Sequence, residues 1–251
     1  LSYSVDKTLS VYGLYDQAFI PQTGILTGGG KIKPITGSNL EFGLKKNWFN
    51  SKWYTTLSVY RILKQNELTA DPASNPNTPT SIVLGEKQAR GIELDVRGTV
   101  VRGFTVMANY ALTEAKITKV AHGITAYKEG DIVPGYAKHT TNAWLSYELQ
   151  GGALKGLGIS GGFTWLKDRY TAWEIKGQML PDYFKMDGGI FYAKDKYRIT
   201  LKVFNILDEY LYSGSYYEQP AVLGDWDSLK PAYYYQTEPP RNIRLSISYR
   251  F

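Results

Sequence analysis

Apolar and polar residues alternate along stretch after stretch of this chain, the connections between stretches are by turns short and long, and the polar face carries charges in mid-strand. These observations predict an all-β protein, a transmembrane antiparallel β-barrel. Period two marks a strand with one apolar and one polar face. Successive strands run antiparallel, so connections of alternating length place every short turn at one end of the sheet and every long loop at the other. That is the layout of an outer-membrane barrel. A soluble β-sheet with a solvated face shares the alternation, but soluble sandwiches spread long connections over both ends.

Before the first full strand comes a stump, 1–4, then strands are predicted over 8–20, 38–48, 52–68 and 88–100. The last contains "GIELDVRG" (91–98), with Ile92, Leu94 and Val96 opposite Glu93, Asp95 and Arg97. Strands 104–118 and 138–149 follow. In the second, Ala143, Leu145, Tyr147 and Leu149 oppose Asn142, Trp144, Ser146 and Glu148. Strand 157–170 sets Leu157, Ile159, Phe163 and Trp165 against Gly158, Ser160, Gly162 and Thr164. After 182–193 comes 197–212, where Tyr197, Ile199, Leu201 and Val203 alternate with Arg198, Thr200 and Lys202. The final strand, 241–251, alternates Leu245, Ile247, Tyr249 and Phe251 with Arg244, Ser246, Ser248 and Arg250. A midplane Lys or Arg on the lipid side costs ~2–4 kcal/mol, so the charged face is expected to look into the lumen.

The short connections are 5–7, 50–52, 101–103, 150–156 and 193–196; the long ones are 21–37, 69–87, 119–137, 171–181 and 213–240. The short turns are expected at the periplasm and the long loops outside. Within the second long loop, "ADPASNPNTPTS" (70–81) cannot enter a sheet interior, because proline removes ladder donors. It reads as a mobile outer loop. The loop 213–240 holds Tyr216, Tyr217, Trp226, Tyr233, Tyr234 and Tyr235. These aromatics suit either an interfacial belt or a ligand vestibule, where rigid rings with polar tips grip a small molecule. Trp173 in "YTAWEIKG" is a similar candidate.

Composition agrees with this architecture. The chain has 251 residues, 43% of them apolar, with 21 Tyr, 6 Trp and 25 Gly. Tyr and Trp favour strands, and no apolar run approaches the ~18 residues of a membrane helix. Cysteine is absent, which excludes a disulfide framework and any Cys-based metal site. The net charge of +6 arises from scattered Lys and Arg matched by 23 acidic residues, so nucleic acid is set aside as a partner. No basic-then-apolar signal segment opens the chain. Of the two histidines, His122 and His139, neither has a second His or Cys at metal-ligand spacing. No Gly-x-Ser-x-Gly elbow occurs, and an isolated His139 nominates no triad. No catalytic residue, metal site or resident cofactor is therefore expected; a protease built from loop carboxylates and histidine is the enzymatic alternative.

Nine short motifs, in order, resemble the C-terminal part of TonB-dependent outer-membrane receptors, most closely those for ferric siderophores. "YDQAFIPQTG" (15–24) resembles that family's Phe-x-Pro loop start, and "LEFGLK" (40–45) its Glu-x-Gly-x-Lys strand. "ARGIELDVRG" (89–98) and "NYALTEAKIT" (109–118) are similar to its Arg-Gly-x-Glu strand and the strand after it. "PGYAKHTTNAWLSYEL" (134–149), "LKGLGISGGFTW" (154–165) and "LPDYFKMDGGIFY" (180–192) follow, then the Asn-x-x-Asp-x-x-Tyr strand of "VFNILDEYLY" (203–212) and the closing "YRF".

The resemblance implies that residues 1–251 are the last ten to eleven strands of a barrel of about 22, without the plug domain and first strands. A self-standing ten-stranded barrel is the runner-up. It implies a receptor and transporter, not an enzyme, taking up a ferric siderophore across the outer membrane of a Gram-negative bacterium. Iron would enter only within the siderophore. The implied partners are the TonB complex, reached through the absent plug, and outer-membrane lipid and lipopolysaccharide. A receptor for another solute (cobalamin, haem or a saccharide) and a small passive porin are the alternatives. The candidate ligand contacts are Trp173, Tyr216, Tyr217, Trp226 and Tyr234. Lys230 is the one basic residue inside the 213–240 loop, with Arg241 just after it. A strongly anionic chelate would call for clustered arginines, so a neutral chelate of the hydroxamate type is expected. Phe251 resembles the C-terminal aromatic read by the barrel-assembly machinery, and is expected in the barrel seam on the lipid face.

Overall fold

The computed structural model describes residues 1–71, 73–75, 77–121, 128–170, 179–218 and 232–251. The described residues form strands and irregular connections, without helix. The strands are β1 (Ser2–Ser4), β2 (Leu9–Ile20), β3 (Ile35–Trp48), β4 (Trp53–Gln65), β5 (Leu68–Ala70), β6 (Ser81–Val83), β7 (Gly85–Val101) and β8 (Phe104–Val120). There follow β9 (Ala137–Glu148), β10 (Leu157–Tyr170), β11 (Met179–Leu180), β12 (Tyr183–Lys194), β13 (Tyr197–Phe204), β14 (Tyr212–Glu218), β15 (Ala232–Thr237) and β16 (Asn242–Tyr249). The main sheet runs in the order β1-β2-β3-β4-β7-β8-β9-β10-β12-β13-β16, with β11 added to β10. Strands adjacent in sequence are adjacent in space, as short connections favour. β5–β6 and β14–β15 are separate two-stranded hairpins within long connections.

The chain divides into two compact units. The first comprises Leu1–Leu44, Leu57–Ile92 and Thr113–Val133; the second comprises Lys45–Thr56, Glu93–Leu112 and Pro134–Phe251.

In the first unit, two long connections are tied to each other. The Gln22 amide donates to the Lys33 carbonyl at 2.8 Å and its oxygen accepts from the Leu68 N–H at 3.3 Å. The Thr27 N–H donates to the Ser81 carbonyl, and its hydroxyl bonds Asp71 and the Thr80 hydroxyl. The two ends of the proline-rich stretch 70–81, Ala70 and Ser81, pair with each other in the β5–β6 hairpin, and side-chain and backbone bonds hold them to the 21–34 connection. The Thr27 hydroxyl and the Ala73 N–H together hold the Asp71 carboxyl below its ordinary range. The buried apolar residues are few: Leu84, Ala115 and Ile117.

In the second unit the register of β13 on β16 runs from Tyr197 opposite Tyr249 to Phe204 opposite Asn242. Ile199, Leu201 and Val203 thereby share one face with Ile243, Leu245 and Ile247. Among the described residues no second layer covers that face: Ile199, inside the sheet, is 42% exposed, and Ile243, Leu245 and Ile247 on the edge strand are 67%, 62% and 68% exposed. A water-soluble sheet covers such a face; one left bare belongs against hydrocarbon. The turn into β10 needs its glycine. Gly156 has φ +90°, and a Cβ there would collide with the Ala193 carbonyl oxygen.

Four expectations change. The single strand 197–212 ends at Phe204, because Asn205 and Asp208 adopt positive φ values of 53° and 58°. Asn205, 1% exposed, then bonds the turn to itself. Its amide donates to the Glu209 carbonyl, its oxygen accepts from the Glu209 N–H, and its own N–H donates to Asp187. Strand 52–68 is likewise cut at Asn66, φ 62°. The loop 213–240 is in part a hairpin, β14–β15. Phe251 lies beyond the last strand residue, 102% exposed, with its ring edge-on to Tyr249 at 5.2 Å. It shares the side of Tyr249, as alternation requires, but is not paired in the sheet.

Candidate ligand-binding site

The tyrosine hairpin, β14–β15, stands in the connection between β13 and β16. Its register sets Tyr216 opposite Tyr234, Tyr217 opposite Tyr233 and Ser215 opposite Tyr235, with a bulge between Tyr212 and Gly214. Tyr is a strong strand former, and cross-strand aromatic pairs are a unit of hairpin stabilisation. Three of the five predicted ligand residues, Tyr216, Tyr217 and Tyr234, therefore meet on two adjacent strands. At the hairpin base the rings of Tyr212 and Tyr235 are tilted at 48° with centroids 5.0 Å apart, and Tyr210 stands 6.5 Å from Tyr212. Trp173 and Trp226 lie outside the described residues.

Arg169, the penultimate residue of β10, clamps the hairpin base. It is 6% exposed. Its guanidinium donates to the Pro181 carbonyl at 3.3 Å and the Ser213 carbonyl at 3.1 Å, and lies 5.4 Å from the Tyr183 ring centre. A buried guanidinium has to spend its donors on acceptors, and here they are the backbone carbonyls of two other connections. A second tie joins Lys185 to Glu238 at 3.0 Å.

Below the hairpin the polar face of β8, β9, β10 and β12 carries a continuous polar track. Thr164 donates to Asn142, and Asn142 to Asn109, at 2.7 and 2.9 Å. Asn109, Asn142, Trp144, Thr164, Lys185 and Asp187 line a hollow of about 230 Å³. Gly162 makes it possible, since a Cβ there would stand 2.5 Å from the Trp144 ring. Towards the short turns the same face turns cationic. Lys202 lies 5.7 Å from the Trp144 ring centre, Arg244 lies 5.3 Å from that of Phe204, and Arg198 lies 4.5 Å from that of Phe191.

Amides, hydroxyls, aromatic faces and cations can hold a polar solute. His139 accepts or donates at Nδ1 with the Tyr110 hydroxyl at 2.8 Å and has Asp168 3.7 Å from Nε2. Its partners are a phenol and a carboxylate, not the hydroxyl or thiol nucleophile that acyl transfer uses. No group of His, Asp and Glu suited to a metal ion occurs among the described residues. Arg169, Asn109, Asn142, Thr164 and Lys185 were not singled out by the sequence reading. Strand parity was the available signal for the last four; Arg169 had none, because its partners are backbone atoms of distant loops.

The model of the TonB-dependent receptor-like β-barrel family matches residues 1–206. Among curated proteins, the chain is 27% identical over 87% of its length to the ferric-pyoverdine M114 receptor PbuA of Pseudomonas sp. strain M114. It is 29% identical over 68% of its length to the ferrichrome outer-membrane transporter/phage receptor of Escherichia coli K12. It spans 27% and 21% of those two proteins. Among solved structures, the pyoverdine outer-membrane receptor FpvA of Pseudomonas aeruginosa PAO1 superimposes with a TM-score of 0.71 over all of this chain and 35% of its own, at 23% identity. That likeness is one of fold.

Proposed function

The chain belongs to the TonB-dependent receptor-like β-barrel family, and from that membership we propose that it is the C-terminal part of the barrel of a receptor that takes up a ferric siderophore across the outer membrane. In this reading residues 1–251 are the last ten to eleven strands, the polar face looks into the lumen, and the tyrosine hairpin lies at the outer mouth. Uptake is energy-dependent, driven by the TonB complex through a plug outside this chain. The protein is a transporter, not an enzyme, and iron enters only inside its chelate. Its surroundings are outer-membrane lipid and lipopolysaccharide.

The observation that carries the reading is the pairing of Tyr216 with Tyr234 and Tyr217 with Tyr233 on one hairpin, in a chain whose relatives include ferric-siderophore receptors. Tyrosines on a clamped hairpin offer rigid contact area at small entropic cost. With few basic residues in this loop, they favour a neutral chelate of the hydroxamate type. The test is single replacement of Trp173, Tyr216, Tyr217, Trp226 and Tyr234 by Ala in the full-length receptor, with ferric hydroxamate binding followed by fluorescence quenching at fixed salt. Losing one well-packed aromatic contact should cost about 1–3 kcal/mol, or about 5- to 150-fold in Kd. If all five variants bind as the parent does, the aromatics belong to the membrane belt. A steep fall of parent binding with added salt would mean a ligand held by charge.

A further inference from the structure

The register of the second unit lays two rows of polar-face residues across β8, β9, β10 and β12. One row is Met107, Trp144, Gly162 and Asp187; the next is Asn109, Asn142, Thr164 and Lys185. Gly162 leaves its row one side chain short, and the Trp144 ring lies against it. Its sequence neighbour, Gly161, belongs to the apolar face, opposite Gly188 of β12. The hollow of about 230 Å³ that these rows line therefore has side-chain amides on its β8–β9 side, a flat ring beside Gly162, and a carboxylate on its β12 side.

The polar groups on the two sides have spent only part of their hydrogen-bonding capacity. Thr164 donates to the Asn142 oxygen, and the Asn142 nitrogen donates one N–H to the Asn109 oxygen. The Asn109 nitrogen has no acceptor among the described residues. Across the hollow, one Asp187 oxygen accepts from the Asn205 N–H at 2.8 Å, and the other has no donor among the described residues. Lys185, the one cation in the lining, is matched by Glu238 at 3.0 Å. An anion would face the Asp187 carboxylate, and a cation would face the unspent amide N–H groups. The complement is a neutral group that accepts on one side and donates on the other. β9 and β12 lie two strand spacings apart, about 10 Å. A trans amide points its C=O and N–H in opposite directions across such a gap, whereas a hydroxyl would have to serve both sides from one oxygen. The planar amide also lies flat against the Trp144 ring.

We propose that this hollow seats a secondary amide of the chelate, one that lies outside the iron-binding groups. Asn109 and Asn142 donate to its carbonyl oxygen, and Asp187 accepts its N–H. On the receptor reading, on which this assignment rests, the chelates taken up are those whose hydroxamates are joined through amides. The hollow adjoins the tyrosine hairpin: Lys185 in its lining bonds Glu238, the residue after β15, and the Glu238 N–H donates to the Leu211 carbonyl just before β14. A chelate gripped by the tyrosines thus has its linkages within reach of the two rows.

The test uses two probes on the full-length receptor: a linear ferric trihydroxamate with secondary-amide links, and the same molecule with esters in place of the amides. Binding is followed by fluorescence quenching at fixed salt. The ester keeps a carbonyl but has no N–H for Asp187, so the parent should bind the amide probe about tenfold tighter. Asp187→Asn keeps an oxygen for the Asn205 N–H and puts a donor where the free oxygen was, so it should abolish that preference. Met107→Trp, which fills the hollow from an exposed position, should abolish it too and serves should Asp187→Asn not assemble. A parent that binds both probes equally overturns the proposal, and so does a preference that survives in the variants. If a peptide bond of the receptor itself fills the hollow, the variants lose folded receptor and keep the preference, which overturns the proposal as well. Tight binding of both probes without preference leaves the receptor reading standing; a parent that binds neither probe removes the hydroxamate reading and this assignment with it.

Discussion

Replacing Arg169 by Met should loosen the tyrosine hairpin while leaving the sheet below it intact. The guanidinium donates two hydrogen bonds to backbone carbonyls, those of Pro181 and Ser213, from a position only 6% exposed. Hydrogen bonds from a charged donor contribute about 1.5–3 kcal/mol each. The distances of 3.1 and 3.3 Å argue for the lower end. The cation over Tyr183 adds about 0.5–1 kcal/mol, and Met keeps part of the aliphatic packing. These contributions are not additive, and about 2–3 kcal/mol is the expected loss. It should appear as local opening, because the acceptors belong to the hairpin base and to the neighbouring connection. By hydrogen exchange on the full-length receptor, the amides of 212–218 and 232–237 should exchange about 30- to 150-fold faster, while those of β13 and β16 stay as in the parent. Lys185→Met, which breaks a partly exposed ion pair with Glu238, should cost about 1 kcal/mol or less. Hairpin protection within threefold of the parent in Arg169→Met would refute the clamp.

The tie between the two long connections of the first unit should depend on acid in a defined direction. Asp71 has its carboxyl held below its ordinary value of 3.8 by the Thr27 hydroxyl and the Ala73 N–H, so its contribution is fully present above 3.8 and is lost as pH falls through the lower folded value. Protection of the 21–34 amides, corrected for the intrinsic pH dependence of exchange, should accordingly be unchanged between pH 7 and 5 and fall below 3.8, and Asp71→Asn should remove that acid step; an acid step of the same size in the variant contradicts the assignment. Protease added to intact cells should cut, if anywhere, within 70–81 or 213–240, whereas cleavage confined to the short turns near 5–7, 50–52, 101–103, 150–156 and 193–196 would invert the proposed orientation. Deleting Phe251 should lower the amount of folded receptor in the outer membrane without altering ligand affinity of what remains, and normal assembly after deletion would count against its role.

Most of the fold was written in local pattern. A strand's two faces are set by parity alone, so the placing of Trp144, Lys202 and Arg244 with the polar residues, and of Leu145, Ile199 and Ile247 with the apolar ones, needed no partner strand. The span 157–170 emerged with the same bounds as β10. Parity failed at 205–211 for an identifiable reason. Asn205 and Asp208 can take left-handed backbone angles that β-branched residues avoid, and the bonds from Asn205 to Glu209 and Asp187 make the turn worth more than continuing the ladder. The bond to Asp187, 18 residues away, is invisible to any local pattern.

The candidate site divides the same way. The sequence alone determined that the tyrosines cluster in one long connection, because composition is a property of the chain. That Tyr216 pairs with Tyr234 and Tyr217 with Tyr233 was decided by hairpin register, which a one-residue bulge at its base shifts. The clamp at Arg169 and the opposition of Gly161 to Gly188 belong wholly to tertiary structure. Arg169 is defined by carbonyls from connections 12 and 44 residues away, and carbonyls carry no residue identity for a sequence to display. Gly161 is one glycine among 25, and only strand pairing brings it opposite Gly188.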